Sequence, residues 1–154
     1  MKAYLVVFMI LAFALAGTAA DISGKWLAQV SNPMMGGKSE RVFNFQVSGE
    51  KLTGTIEDWQ VSQATFQEAG KPAMSGTLKT QRGEPQQITE GKVSGDAVSF
   101  AIVGQMMGME MKTQYKGKIS GNEIKFTAEQ DGGGGGGFGP PAGPQEMVAK
   151  KISQ

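Results

Sequence analysis

The sequence predicts an all-β domain, an antiparallel up-and-down barrel of about eight strands, with a β-sandwich as the alternative. Three observations lead there. A hairpin sequence recurs three times, apolar and polar residues alternate over most of the chain, and no segment carries a convincing helical period. Strands with one apolar and one polar face suit an antiparallel sheet curled around a core.

The repeat is the firmest of these signals. Gly91-Lys92-Val93-Ser94-Gly95-Asp96-Ala97-Val98-Ser99-Phe100 matches Gly117-Lys118-Ile119-Ser120-Gly121-Asn122-Glu123-Ile124-Lys125-Phe126 at a spacing of 26 residues, and Phe45 to Gly54 is a looser copy. Each copy centres on Ser-Gly followed by Asp, Asn or Glu, which suits a two-residue type II′ turn. With those turns, Val47 opposes Leu52 and Phe43 opposes Ile56. Val93 opposes Val98, Ile119 opposes Ile124 and Tyr115 opposes Ala128. Every apolar residue then falls on one face, and a slip of one residue would destroy the agreement. The same register sets a strand glycine against a phenylalanine three times: Gly54 with Phe45, Gly91 with Phe100, Gly117 with Phe126. A ring over a cross-strand glycine repairs the weak point that glycine leaves in a sheet.

The remaining strands follow from alternation. Trp26, Ala28 and Val30 form the first, after Gly24, and a loop with Asn-Pro and Gly-Gly turn signals spans 31–39. Residues 74–80 and 85–93 flank Gln81-Arg82-Gly83 and read as a further hairpin. Met107, Met109, Met111, Thr113, Tyr115, Gly117 and Ile119 share one face, opposite Gly108, Glu110, Lys112, Gln114, Lys116 and Lys118. Residues 147–152 supply a last strand, and 59–70 has room for one short helical turn. Residues 131–144, with six consecutive glycines and then Phe138-Gly-Pro-Pro-Ala-Gly-Pro, have little to bury and read as a flexible loop.

Residues 1–20 carry Lys2, an apolar run from Ala3 to Ala16 and then Gly17-Thr18-Ala19-Ala20. This is the pattern of a secretory signal peptide cleaved after Ala20, and the run is shorter than a membrane span needs. A secreted or periplasmic single domain over 21–154, with no transmembrane anchor after cleavage, is expected. The protein holds 15 Lys+Arg against 14 Asp+Glu, and no His or Cys. Removing Lys2 leaves the two signs equal. That balance gives no reason to expect nucleic-acid binding, and the missing residue types exclude Ser-His and Cys-His catalysis, His- or Cys-held zinc, and disulfides.

Gly24-Lys25-Trp26, opening the first strand, resembles the Gly-x-Trp signature of lipocalin/calycin barrels. That resemblance implies that the Trp closes one barrel end beneath a basic residue of the last strand, here Lys150 or Lys151. The chain also looks like small secreted bacterial β-domains with repeated Gly-Lys-Val-Ser-Gly-Asp-x-Val-x-Phe hairpins. The likeness covers nearly all of 21–152 and implies a fold without implying an activity.

Few residues suggest chemistry. Met107, Met109 and Met111 set thioethers about 7 Å apart along one strand face, with Met34 and Met35 in a loop. Thioethers suit Cu(I), but strand neighbours do not converge on one ion, and methionine more commonly fills irregular interior space. Ser48-Gly49-Glu50-Lys51 has the Ser-x-x-Lys spacing of serine acyl-enzymes, yet it straddles a hairpin turn instead of opening a helix. Glu57 and Asp58 face opposite sides of a strand, so they cannot act as a dyad and are expected to end the strand as solvated charge. No catalytic residue, metal site or cofactor is therefore expected. The leading expectation is a non-enzymatic barrel that binds a small apolar ligand or an envelope partner at its interior or mouth. Trp26, Phe43, Phe45, Trp59, Met107, Met109, Met111 and Tyr115 are the candidate contacts, and Trp26, Trp59 and Phe138 the candidate rim. A filled barrel of structural or accessory role is the alternative, with a Met-based Cu(I) protein behind it.

Overall fold

A computed structural model describes residues 19–32, 37–106, 108–131 and 143–152. The expected signal sequence before Ala19, together with Met34, Met35, Met107 and Phe138, lies outside these residues. Nine antiparallel strands follow one another: β1 (Gly24–Asn32), β2 (Gly37–Ser48), β3 (Lys51–Phe66), β4 (Met74–Gln81), β5 (Gln86–Ser94), β6 (Ala97–Met106), β7 (Met109–Ser120), β8 (Glu123–Asp131) and β9 (Gln145–Lys151). Eight of them close into a barrel in the order β1-β2-β3-β5-β6-β7-β8-β9, with β9 returning to β1. Among the described residues no helix is long and apolar enough to cross a membrane.

The three repeated hairpins carry the registers that their sequences dictate. Val47 faces Leu52, Val93 faces Val98 and Ile119 faces Ile124. Gly49, Gly95 and Gly121 take φ of 62°, 59° and 59°, while the residue after each does not, as a type II′ turn requires. All three turns lie at one barrel end, and each is tied to a later strand. The carbonyls of Glu50, Asp96 and Asn122 accept from Val93, Ile119 and Lys151 N–H at 2.7–2.9 Å. The repeat is thus one device used three times, a tight turn whose second residue caps an adjoining strand.

The segment before β1 folds across the same end. Ile22 is buried, and the Trp26 indole N–H donates to the Ile22 carbonyl at 2.8 Å. Lys151 Nζ stands 5.7 Å from the Trp26 ring centroid, so a cation from the last strand does cover this tryptophan.

The inward faces meet in one core. Phe43, Phe45, Phe100, Tyr115 and Phe126 are each at most 3% exposed. Their rings interlock: Phe43 stacks on Phe126 at 5.1 Å, Phe100 stacks on Tyr115 at 4.8 Å, and edge contacts join the two pairs. Pairs of this kind add about 0.5–1.5 kcal/mol each beyond area burial.

The glycine-phenylalanine pairing holds at two of its three places, Gly54 with Phe45 and Gly117 with Phe126, but a ring is the nearest neighbour of the glycine only at Gly117. A Cβ on Gly117 would lie 2.6 Å from the Phe126 ring, so that ring does cover the glycine. A Cβ on Gly54 would instead meet the Asn44 carbonyl oxygen at 1.8 Å, and φ there is 145°. Gly91 is not opposite Phe100 in the ladder. The β5–β6 register shifts between Thr89 and Lys92, where Glu90 has φ 53°, and a Cβ on Gly91 would meet the Leu52 carbonyl oxygen at 2.1 Å. Close approach of neighbouring backbone, not ring coverage, requires glycine at these two positions.

Two further expectations need correction. The 74–80 and 85–93 segments do not pair with each other, because β4 pairs with the outer half of β3 and β5 with its inner half. The region 59–70 is mostly strand: β3 continues to Phe66, past the Glu57-Asp58 step expected to end it. The long β3 is possible because its outer half exchanges its barrel neighbour β5 for β4. The β3–β4 hairpin consequently projects beyond the barrel wall.

Candidate functional site

The two barrel ends are built differently. One is sealed by tight turns, Ile22 and Trp26. At the other, the strand ends of β2, β3, β5, β6, β7, β8 and β9 surround an open cavity of about 290 Å³. Tyr115 is the member of the aromatic cluster that lines it. Arg41, Asp58, Met111 and Thr113 line the walls, and Gln86, Gln105, Gln130 and Gln145 surround them.

Arg41 is the centre of this end. Alternation on β2 turns it inward, on the face of Phe43 and Phe45, and its strand partner is Asp58 of β3. Its guanidinium grips Asp58 with two bonds, Nε to Oδ1 at 2.6 Å and a terminal nitrogen to Oδ2 at 2.8 Å. The other terminal nitrogen donates to the Tyr115 hydroxyl at 2.5 Å. The pair is partly sheltered, with side chains 20% and 35% exposed, and the fork geometry fixes both partners. Burial works against the Arg41 charge, but the Asp58 hydrogen bonds, the Tyr115 oxygen and the Asp58 charge outweigh it, so its pKa lies above the ordinary guanidinium value. Burial likewise pushes the Tyr115 hydroxyl above the ordinary phenol value, with Arg41 partly opposing the shift. Tyr115 is neutral at physiological pH, accepts from Arg41 and keeps its own proton available to donate.

The chemistry of the cavity is therefore mixed. Arg41 and Asp58 cancel in charge, the glutamines offer donors and acceptors, and Ile102, Met111, Ala128 and the Tyr115 ring offer apolar surface. Such a lining suits a small molecule with an apolar part and a neutral polar part. Among the described residues no three His, Cys, Asp or Glu side chains converge on a common point.

The residues singled out from sequence divide sharply. Met111 and Tyr115 line the cavity. Phe43 and Phe45 are buried in the core and do not line the cavity, although Phe43 packs edge-on to Tyr115, which does. Trp26 belongs to the sealed end, so it is no part of the mouth. Trp59 stands on the outer face of β3 with Glu57, whose carboxylate accepts from the indole N–H at 3.3 Å. Met109 pairs with Met106 at the start of β7, and Met107 lies outside the described residues. Arg41 and Asp58 were missed. Asp58 faces inward while Glu57 faces outward, as alternation requires, but its strand continues and its charge is held by Arg41. Counting parity back from Phe45 and Phe43 would have placed Arg41 inward, and its register with Asp58 follows from the Gly49-Glu50 turn.

The outward lysines are largely paired, Lys112 with Glu90 at 2.8 Å, Lys116 with Glu129 at 3.5 Å and Lys118 with Asp96 at 3.7 Å. Ser48 and Lys51 face each other across an exposed turn. On the outer wall, β1 and β9 pair only from Trp26 to Ala28, and beyond that point a shallow hollow of about 740 Å³ lies over Leu27, Met147 and Val148. It is larger than the mouth cavity, and the charged residues along it, Lys125, Glu146 and Lys150, are exposed. The closed antiparallel barrel of eight strands is consistent with a lipocalin-like architecture; in comparisons with family models, curated proteins and solved structures, the chain matches none.

Proposed function

We propose that the protein is an exported, non-enzymatic binding module that holds a small ligand in the open end of its barrel. The observation that carries this reading is the cavity of about 290 Å³ into which Arg41, Asp58 and Tyr115 project as one hydrogen-bonded unit. A barrel needing only stability gains little from a partly sheltered ion pair in that position, where apolar residues of similar volume serve as well. The barrel interior below the cavity is filled by the rings of the core, so the ligand is small and meets the mouth with an apolar part against Met111 and Ile102 and a polar part against Arg41 and the glutamines. The sequence of residues 1–20 supports export, and N-terminal sequencing of the purified protein is expected to begin at Asp21.

Native mass spectrometry of the protein purified from its own envelope tests the binding reading. A non-covalent mass carried by the wild type and lost from Thr113→Phe, which fills the cavity, is the expected result. Bare polypeptide in every preparation would instead favour a filled structural barrel, a reading supported by the tightly packed aromatic core.

A further inference from the structure

The β3–β4 hairpin presents a surface that the barrel does not use. Phe66, Met74 and Leu78 are 70%, 75% and 56% exposed, far more than any other large apolar side chain among the described residues. They share one face. Phe66 pairs with Met74 and Ser62 with Leu78, so alternation puts all of them on the face of β3 that carries Leu52 and Ile56 lower down. The outer strand, β4, is exposed along its whole length and pairs, among the described residues, only with β3. Its far edge is a row of backbone donors and acceptors without a partner.

We propose that β4 is a dimerisation strand, pairing antiparallel with β4 of a second copy of this chain across a two-fold axis at Gly76. The occupant is identified by self-complementarity. With Gly76 opposite Gly76 of the other copy, Met74 falls opposite Leu78 and Leu78 opposite Met74. Each cross-strand row then reads Phe66, Met74, Leu78, Ser62 across four strands, and the apolar faces of both hairpins become continuous. Charge permits this register. Edge strands usually block such pairing with lysine, proline or a bulge. Here β4 has no proline or bulge, and its one charge, Lys79, is held by Glu40 of its own chain at 2.6 Å. In the proposed register the two Lys79 side chains are six positions apart, roughly 20 Å along the strand. The three exposed side chains amount to on the order of 300–400 Å² per copy, a size that marks interaction sites. Edge pairing covers the β4 backbone edge and brings the flanks of Met74 and Leu78 into lateral contact across the two-fold axis.

The absence of cysteine makes the register directly testable. Gly76 has no atom within 4 Å of an added Cβ, so Gly76→Cys is tolerated by the fold. In the dimer the two sulfur-bearing residues face each other at about 4.5–5.5 Å between Cα atoms, inside the range for a disulfide. Thr80→Cys, on the same face, would be separated from its counterpart by roughly 26 Å. The expected results are a dimer of the mature wild type in sedimentation equilibrium, rapid oxidative cross-linking of Gly76→Cys but not Thr80→Cys, and a dissociation constant raised roughly tenfold or more by Leu78→Lys with the melting temperature of the barrel unchanged. A monomer at every concentration overturns the proposal. So does a dimer that ignores Leu78→Lys, or one that cross-links at Thr80 in preference to Gly76, because its interface would then lie elsewhere or in another register.

Discussion

Gly117→Ala isolates the packing that organises the core. Gly117 lies on the inward face of β7 opposite Phe126, and its φ is not positive, so alanine brings no backbone strain. The cost is steric. The added Cβ would sit 2.6 and 2.7 Å from two atoms of the Phe126 ring and 2.9 Å from Val98 Cγ1. Neither neighbour has room to retreat. Val98 is 2% exposed, and Phe126 is 1% exposed, stacked on Phe43 and edge-on to Phe100 and Tyr115. Overpacking of this kind costs about 1–3 kcal/mol, against which the reduced freedom of the unfolded chain returns about 0.4–1 kcal/mol. The net expectation is a loss of about 1–2 kcal/mol, seen by calorimetry as a fall in Tm of roughly 3–10 °C. Trimming the ring with Phe126→Leu removes the nearer of the two obstacles and leaves Val98, so Gly117→Ala should cost about 1 kcal/mol less in that background. Gly76→Ala, where space is open, is the control and should be neutral in the monomer. A Tm for Gly117→Ala equal to or above wild type, or the same cost in both backgrounds, would refute the packing argument.

Three other perturbations probe the two barrel ends. Asp58→Ala leaves the Arg41 guanidinium without its fork partner and should lower unfolding free energy in urea by about 1–3 kcal/mol, while Arg41→Met with Asp58→Ala should recover much of that loss. Tyr115 is the only tyrosine after Ala20, so its absorbance titration is unambiguous. Its pKa is raised in the folded barrel, so the unfolded chain releases the phenolic proton first, and the stability this group contributes is full below pH ~10 and is lost as pH rises through the folded value. Spectrophotometric titration should place the folded midpoint above that of the urea-unfolded protein. Trp26→Phe deletes the indole bond to the Ile22 carbonyl and should cost about 1 kcal/mol or slightly more, with a weaker loss for Lys151→Ala, since the cation-π contact is worth only about 0.5–1 kcal/mol at such a site.

Much of the barrel was legible because strands alternate and the repeated turn fixes register. Once Gly49-Glu50, Gly95-Asp96 and Gly121-Asn122 are turns, the partners of Val47, Val93 and Ile119 follow with no further information. The covering of Trp26 by a C-terminal lysine followed instead from the resemblance of Gly24-Lys25-Trp26 to the lipocalin signature. What escaped was set by contacts between strands distant in sequence. Nothing local in Met74–Gln81 says that it pairs with β3 rather than β5, because the choice is made by how far β3 extends past the barrel wall. The glycine at 91 is required by the Leu52 backbone of another hairpin, a contact that the spacing of Gly91 and Phe100 does not reveal. The mouth was half legible. Met111 and Tyr115 stood out by alternation, whereas Arg41 and Asp58 resemble any surface ion pair until parity is counted from the aromatic residues below them.

The central claim is that the open end binds a ligand while the sealed end only closes the barrel. Two side-chain N–H groups report on the two ends separately, Arg41 Nε–H beside the cavity and the Trp26 indole N–H bonded to Ile22. Proton–nitrogen correlation spectra of the isotope-labelled protein, recorded before and after addition of small-molecule extract from its own envelope, should show the Arg41 and glutamine side-chain signals moving while the Trp26 signal stays in place. Movement at Trp26 with Arg41 unchanged, or no movement at either end, would contradict the account.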